Sequence, residues 1–263
     1  MKTNSFVTAI LIFGALFTSC NKKDESTPVI NFPMIDTVYM YQRGIKLDAT
    51  VYTYDNQGRC LKSISAVDPE YSWIFSYNGN KLSYTKYLGV GINFYLDGTT
   101  NEKGYLTTFR TITDFKTSKD TINTTCEYDA NGFWIKGTEI TTKKDTTIYE
   151  CVVENGNVTK ETSFKVKNGI KTLNSEVIRS FNLDKITTIG YANMGIAYIG
   201  QPDKDLVETE TKTYVTGAGP NEVTTSNYTY EFDINGHVSK QTQITPNDTT
   251  ITIYKYKKQM WAN

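Results

Sequence analysis

The 263-residue sequence has few of the residues that build metal centres and nucleophilic active sites. His237 is the only histidine, so a metal site built on several histidines is excluded. A Ser-His-Asp arrangement would need this one residue, which directly follows a predicted turn glycine, as its base. No glycine-rich phosphate loop precedes a helix. We therefore expect no metal, no cofactor and no catalytic residue.

Excess charge and long apolar runs are also missing. The 28 basic and 28 acidic residues cancel, whereas nucleic-acid binding requires a clustered basic excess. The longest apolar run, residues 6–17, is shorter than the roughly 20 residues of a membrane-spanning helix. It follows Lys2 and ends at Thr18-Ser19-Cys20, which is the layout of a signal peptide.

The small pair Thr18-Ser19 directly before Cys20 resembles the lipobox of bacterial lipoproteins, although Phe17 stands where the family usually has Leu. This resemblance implies cleavage of residues 1–19 as a signal peptide and attachment of acyl chains such as palmitate to Cys20. Two or three chains anchor a protein stably to a membrane without crossing it. The alternative is an ordinary signal peptide with an incidental cysteine.

Residues 20–35 have the polar composition of a tether. Lys23-Asp24-Glu25 resembles the export signal of some surface-exposed outer-membrane lipoproteins, and a tether on the periplasmic face is the alternative. We expect the protein at the outer membrane, held by its lipid. Of the cysteines that follow, Cys60, Cys126 and Cys151, the odd number argues against a disulfide framework. A single Cys126–Cys151 pair stays open.

One phrase organises the rest of the chain: aromatic residues at alternate positions, then Asp-x-x-Gly. The phrase predicts a β-hairpin, because Asp caps the turn through its own backbone and Gly supplies the positive φ. A second phrase, Asp-Thr after a polar residue, marks the opposite hairpin ends. The copies of the first phrase have their turns at Asp55, Asp129 and Asp233, with looser ones at Asn78 and Asn155, and the second phrase occurs at Asp120, Asp145 and Asp248.

Helical periodicity is almost absent, and Thr, Tyr, Val and Ile favour strands. Tyr228, Tyr230, Phe232 and Ile234 alternate with polar residues, so we expect one buried and one solvated face. A membrane-spanning barrel would need a continuous apolar outer band, but Lys, Glu and Thr are scattered throughout. We predict an all-β domain over residues 36–263, a water-soluble antiparallel meander of long hairpins that is closed or strongly curled into a barrel.

The phrase Tyr54-Asp-x-x-Gly-Arg59 resembles the YD repeat of large bacterial surface proteins. Together with the lipobox, the chain from Asp36 onward resembles an uncharacterised family of outer-membrane lipoproteins, a domain of unknown function with a porin-like fold built from YD-like repeats. The resemblance implies that fold and an outer-membrane location. It implies no activity and no site residue beyond the lipidated Cys20.

Two further patterns have competing interpretations. The Asp-x-Asn-Gly runs at Asp129 and Asp233 match the first half of a calcium loop, but Thr138 and Thr242 stand where its bidentate Glu would be. A turn aspartate is the simpler explanation. The three tryptophans and 19 tyrosines are typical of packed strand faces, with a sugar-stacking surface as the alternative.

The repeat fails between Ile186 and Leu206, where several glycines interrupt an apolar run. Functional residues concentrate on loops held by a rigid scaffold, so Tyr191, Met194 and Tyr198 form a candidate binding loop, with a packed closure of the sheet as the alternative. We expect a monomeric, non-catalytic binding or scaffold protein whose partners are the membrane and a glycan or envelope protein. The alternative is a carboxylate-based glycan hydrolase.

Overall fold

The computed structural model describes residues 33–88, 93–115, 118–216 and 221–257. Cys20, the signal peptide, nearly all of the tether and Trp261 lie outside the described residues. Where the structure is described, no helix is long and apolar enough to span a membrane.

The described residues form sixteen antiparallel strands, each hydrogen-bonded to its neighbours in sequence, and the first strand pairs with the last. The prediction of an all-β meander closed into a barrel is thereby confirmed. The strands are β1 (Ile35–Gln42), β2 (Ile45–Tyr54), β3 (Cys60–Ser65), β4 (Tyr71–Asn78), β5 (Lys81–Leu88), β6 (Asn93–Thr100), β7 (Leu106–Phe115), β8 (Ser118–Tyr128), β9 (Trp134–Thr141), β10 (Thr146–Glu154), β11 (Asn157–Lys167), β12 (Ile170–Ile186), β13 (Asp205–Tyr214), β14 (Glu222–Phe232), β15 (Val238–Ile244) and β16 (Thr249–Tyr256).

The barrel has two different ends. One end, here called the base, carries the Asp-x-x-Gly turns that follow the even-numbered strands. The chain enters β1 and leaves β16 at the base, where the backbone N–H of Lys257 donates to the carbonyl of Met34 at 2.8 Å. The opposite end, here called the mouth, carries the turns marked by Asp145 and Asp248.

The turns at the base form for the predicted reason. Asp55 Oδ1 accepts the N–H groups of Gln57 and Arg59, each at 2.9 Å, and Gly58 has a φ of 74° that side-chain-bearing residues rarely adopt. Asp233 accepts the N–H groups of Asn235 and His237 at its own turn, and Asp129 accepts that of Phe133. A further copy that the repeat search missed begins at Asn101, whose side chain caps its turn in the same way.

The tyrosine of the phrase has a structural role as well. At the base its ring packs inside the barrel, and its hydroxyl donates to a carbonyl at the start of the preceding strand. Each of these bonds joins the tyrosine's strand to the first residues of the preceding strand and gives a backbone carbonyl there a hydrogen-bond partner. The bonds are Tyr54 to Ile35, Tyr77 to Cys60, Tyr128 to Leu106, Tyr230 to Val207 and Tyr256 to Val238.

The two faces of the wall differ as the alternation predicts. Inward-facing Phe75, Leu82 and Leu96 are each at most 5% exposed and form the main core. The outer face carries exposed cross-strand ion pairs, such as Glu127 with Lys136 at 2.7 Å. The expectation for two residues of β14 was wrong: Phe232 is exposed and Ile234 is fully exposed, because the strand is irregular after Glu231 and then enters the turn.

The three described cysteines are free thiols. Cys126 on β8 and Cys151 on β10 are separated by β9, whose Gly137 lies opposite Cys126, so the pairing that the sequence left open does not form. Burial raises the pKa of the Cys60 and Cys126 thiols to about 12. They are packing residues with little thiolate at neutral pH.

Candidate functional site

The connection from β12 to β13, residues 187–204, crosses the base and is here called the plug. It contains two short 3-10 helices, Tyr191–Met194 and Ala197–Ile199. Backbone hydrogen bonds of 2.8–2.9 Å tie it to three separate turns of the base, through the pairs Cys60 with Gly195, Gln201 with Gly132 and Lys204 with Gly156. The plug therefore closes the base from one wall to another.

The structure places the predicted binding residues of this segment in the barrel core. Tyr198 is 8% exposed, and its ring lies 6.3 Å from that of Phe75. Tyr191 and Met194 pack against the same core cluster. These contacts give all three residues a packing role, and a ligand-binding role for them stays a prediction.

The glycines of the plug are explained by close approach. A Cβ on Gly195 would lie 2.5 Å from the backbone nitrogen of Cys60, and Gly195 also has a φ of 71°. A Cβ on Gly200 would lie 2.8 Å from the carbonyl oxygen of Gly132. Only glycine lets the plug lie this close to the turns. The sequence left a binding loop and a packed closure of the sheet open for this glycine-rich segment, and the structure shows close packing.

A buried latch fixes the last residues of the plug to β11. The backbone N–H of Val158 donates to Asp203 at 2.6 Å, and Asn157 and Asp205 exchange two hydrogen bonds of 2.9 Å. Asp203 and Asp205 are 4% and 1% exposed. Burial raises the pKa of Asp203 to about 7, even though the Val158 N–H favours its ionised form.

An ion network lies next to the latch on the inner wall. Arg179 Nε donates to Glu210 at 2.8 Å, and the guanidinium is 3.9 Å from Glu161. Lys212 lies 2.9 Å from the other oxygen of Glu210. Burial alone would raise the pKa of Glu210, but Arg179 and Lys212 hold it below its usual value. Since Arg179 and Glu210 are both paired and buried, the network serves the fold.

Parts of the inner wall are more exposed near the mouth. Along β13, Leu206 is 2% and Glu210 6% exposed, whereas the Lys212 side chain is 25% exposed. On β14, Ser226 is buried and Thr224, nearer the mouth, is exposed. At these positions the wall is more exposed on the mouth side, while the plug crosses the base.

Aromatic residues line the inner wall in the mouth half of β4, β5 and β6. Trp73, Lys86 and Phe94 stand directly opposite one another on these neighbouring strands, and all three are half-buried. The Lys86 ammonium lies 4.5 Å from the Trp73 ring centroid and 5.9 Å from that of Phe94. Tyr84 stacks on Trp73 at 5.2 Å. Burial lowers the pKa of Lys86.

The other chemistry considered from the sequence has a plain structural account. The turn aspartates use their oxygens for backbone N–H groups, and no group of three or more His, Cys, Asp or Glu in the described part of the chain is placed to hold a metal. His237 lies 3.4 Å from Asp233 within its own turn and packs on Tyr256. Trp134 is buried.

Sequence reasoning did not single out Lys86, Arg179 or Asp203. Alternation alone places Lys86 on the same face of β5 as Tyr84, so the sequence could have indicated a lysine on the inner wall. The pairing of Arg179 with Glu210 depends on the register between β12 and β13, which no local pattern reveals.

Comparisons with known proteins follow the fold. No family model and no curated protein matches the sequence. A porin-like protein from Bacteroides uniformis ATCC 8492 is 15% identical, with a TM-score of 0.54 and coverage of 86% of this chain and 100% of that one. A porin-like protein from Bacteroides vulgatus ATCC 8482 is 10% identical, with a TM-score of 0.58 and coverage of 86% and 99%. At these identities the likeness concerns the fold alone, and the chain has the barrel fold of these porin-like proteins.

Proposed function

We propose that the protein is a non-catalytic envelope lipoprotein, anchored by acyl chains on Cys20, whose barrel stands in water beside the outer membrane and binds a ligand or partner. The porin-like description of two proteins with the same fold supports an envelope location. The signal-peptide layout and the Thr-Ser-Cys sequence support the anchor.

The polarity of the barrel wall carries the proposal. A lipid-spanning barrel presents an apolar band outward and a polar interior, and an outward lysine at the bilayer midplane costs about 2–4 kcal/mol. Here an apolar core lies inside the barrel. The outer face mixes exposed apolar side chains, such as Ile74 and Tyr95, with the ion pairs Glu127–Lys136, Glu150–Lys171 and Glu231–Lys240.

The plug argues against a channel, because it joins turns from several parts of the base. The position of Met34 shows where the N-terminal segment joins the barrel. Since Met34 lies at the base, residues 20–33 join the barrel there, and a segment of this length spans at most about 50 Å. The segment that carries the proposed anchor therefore joins the barrel at its base.

Phase separation in Triton X-114 tests the proposal. The full chain is compared with a form in which the signal peptide of a non-lipidated secreted protein is fused to Asn21. We expect the lipidated chain in the detergent phase and the unlipidated chain in the aqueous phase. Palmitate labelling of the full chain, lost in Cys20→Ala, checks the anchor itself. Recovery of the unlipidated chain in the detergent phase would show that the barrel wall contacts lipid and would overturn the proposal.

A further inference from the structure

Lys86 differs from the other cations of the inner wall in having no acidic partner. Arg179 contacts two glutamates and Lys212 contacts one. In the described part of the chain, Lys86 forms no ion pair, and its neighbours are the aromatic rings of Trp73 and Phe94. Aromatic faces attract a cation, but they do not neutralise its charge.

Lys86 is more exposed than the inward-facing residue at the base end of its strand. Leu82, on the same face of β5 but nearer the base, is 1% exposed, whereas Lys86 is half-buried. Lys86 lies in the mouth half of β5 and the plug crosses the base, so among the described residues the mouth is the side from which a molecule approaches Lys86. The lowered pKa of Lys86 shows that burial costs the charged form free energy. An incoming anion would recover that free energy.

We propose that Lys86, Trp73 and Phe94 form a subsite for the acidic group of a glycan that enters through the mouth. The ammonium pairs with a carboxylate or sulfate group, and the flanking rings provide apolar contact for the C–H faces of the sugar. Aromatic rings with one or a few placed polar groups are the usual composition of a ligand site. The inference specifies the ligand class for the proposed binding role and so rests on that role.

Tryptophan fluorescence of the full chain provides the test, because Trp73 is part of the subsite. The probes are oligogalacturonate, a sulfated oligosaccharide and fully methyl-esterified oligogalacturonate, which keeps the sugar rings and lacks the charge. The variants are Lys86→Met, which keeps most of the side-chain length, and Lys86→Arg, which keeps the charge. Lys46→Met is the matched control, since Lys46 lies 5.0 Å from the Tyr39 ring and is exposed.

We expect at least one acidic probe to quench the wild type, Lys86→Arg and Lys46→Met, with affinity at least tenfold weaker in Lys86→Met. The quenching should fall with added salt, and the methyl ester should have no effect. Equal binding of the ester, unchanged affinity in Lys86→Met, or no quenching by either acidic probe would overturn the subsite.

A second measurement needs no variant and covers the case in which Lys86→Met fails to fold. NMR titration of the Lys86 ammonium should show its pKa rising by about one unit when the acidic probe is bound, because an opposite charge favours the charged form. An unchanged pKa would overturn the subsite. Neither result depends on lipidation. If the subsite hypothesis is wrong, the phase-separation result is unaffected. If instead the barrel wall contacts lipid, phase separation shows it, and the two subsite measurements do not.

Discussion

Asp203→Asn tests the latch that holds the plug. The substitution preserves shape, and the amide oxygen can still accept the Val158 N–H, which lies 2.6 Å from the Asp203 carboxylate. Because burial raises the pKa of Asp203 from 3.8 to about 7 in the folded chain, the native state favours the protonated form. The stability that this group contributes is fully present below about pH 4 and is lost as the pH rises to about 7.

The magnitude follows from linkage. A difference of about three pKa units corresponds to about 4 kcal/mol at 1.36 kcal/mol per unit. Relaxation of the site and its coupling to Arg179 reduce this figure, so we expect a change of about 2–4 kcal/mol between pH 4 and pH 8. The neutral asparagine has no such dependence. Asp203→Asn should therefore gain stability relative to the wild type as the pH rises.

Urea unfolding at several pH values between 4 and 8 measures this difference. Asp55→Asn is the control, since hydrogen bonds from Arg59 and Gln57 hold the pKa of Asp55 below its usual value despite partial burial. Asp55 stays ionised over most of this range, so its variant should differ from the wild type by a nearly constant amount. A constant difference for Asp203→Asn as well would refute the latch argument.

Three other substitutions test the packing. Tyr128→Phe removes the 2.8 Å bond to the Leu106 carbonyl and should cost about 1 kcal/mol, whereas the exposed Tyr87→Phe should cost nothing measurable by urea unfolding. Gly195→Ala should lower the melting temperature by several degrees more than Gly169→Ala, because both have positive φ but only Gly195 meets backbone atoms; equal effects would contradict the close approach. Tyr198→Ala should lower the free energy of unfolding by about 3–5 kcal/mol, because it removes a packed aromatic ring. Loss of ligand capture by this variant without a loss of stability would instead support the binding loop.

The hairpins could be predicted because their chemistry is local. Asp55 caps its turn with N–H groups two and four residues ahead, so the spacing to Gly58 is readable in the sequence. Asn101 forms the same turn. It was missed because Thr100 stands where the clear copies have an aromatic residue before the turn, although asparagine offers the same acceptor as aspartate.

Features that depend on distant residues could not be predicted. Closure of the barrel requires β1 to pair with β16, more than 200 residues later, and nothing local to either strand specifies that pairing. The plug was recognised as an interruption, but its contacts with Gly132 and Gly156 depend on where the closed barrel brings those turns. For the same reason the sequence could not decide between a binding loop and a packed closure of the sheet, and the structure shows that the segment packs into the core.

The central claim, a barrel that stands in water while its lipid is in the membrane, is tested most directly by labelling Asn227→Cys in outer-membrane vesicles. Asn227 is exposed and lies on the outer face of β14, between the inward-facing Ser226 and Tyr228. Background from Cys60, Cys126 and Cys151 is low because burial raises the pKa of each thiol. We expect a charged maleimide to label this position on the lipidated protein equally well with and without detergent, in vesicles opened so that both membrane faces are reached. Protection of this position until detergent dissolves the membrane would contradict the claim.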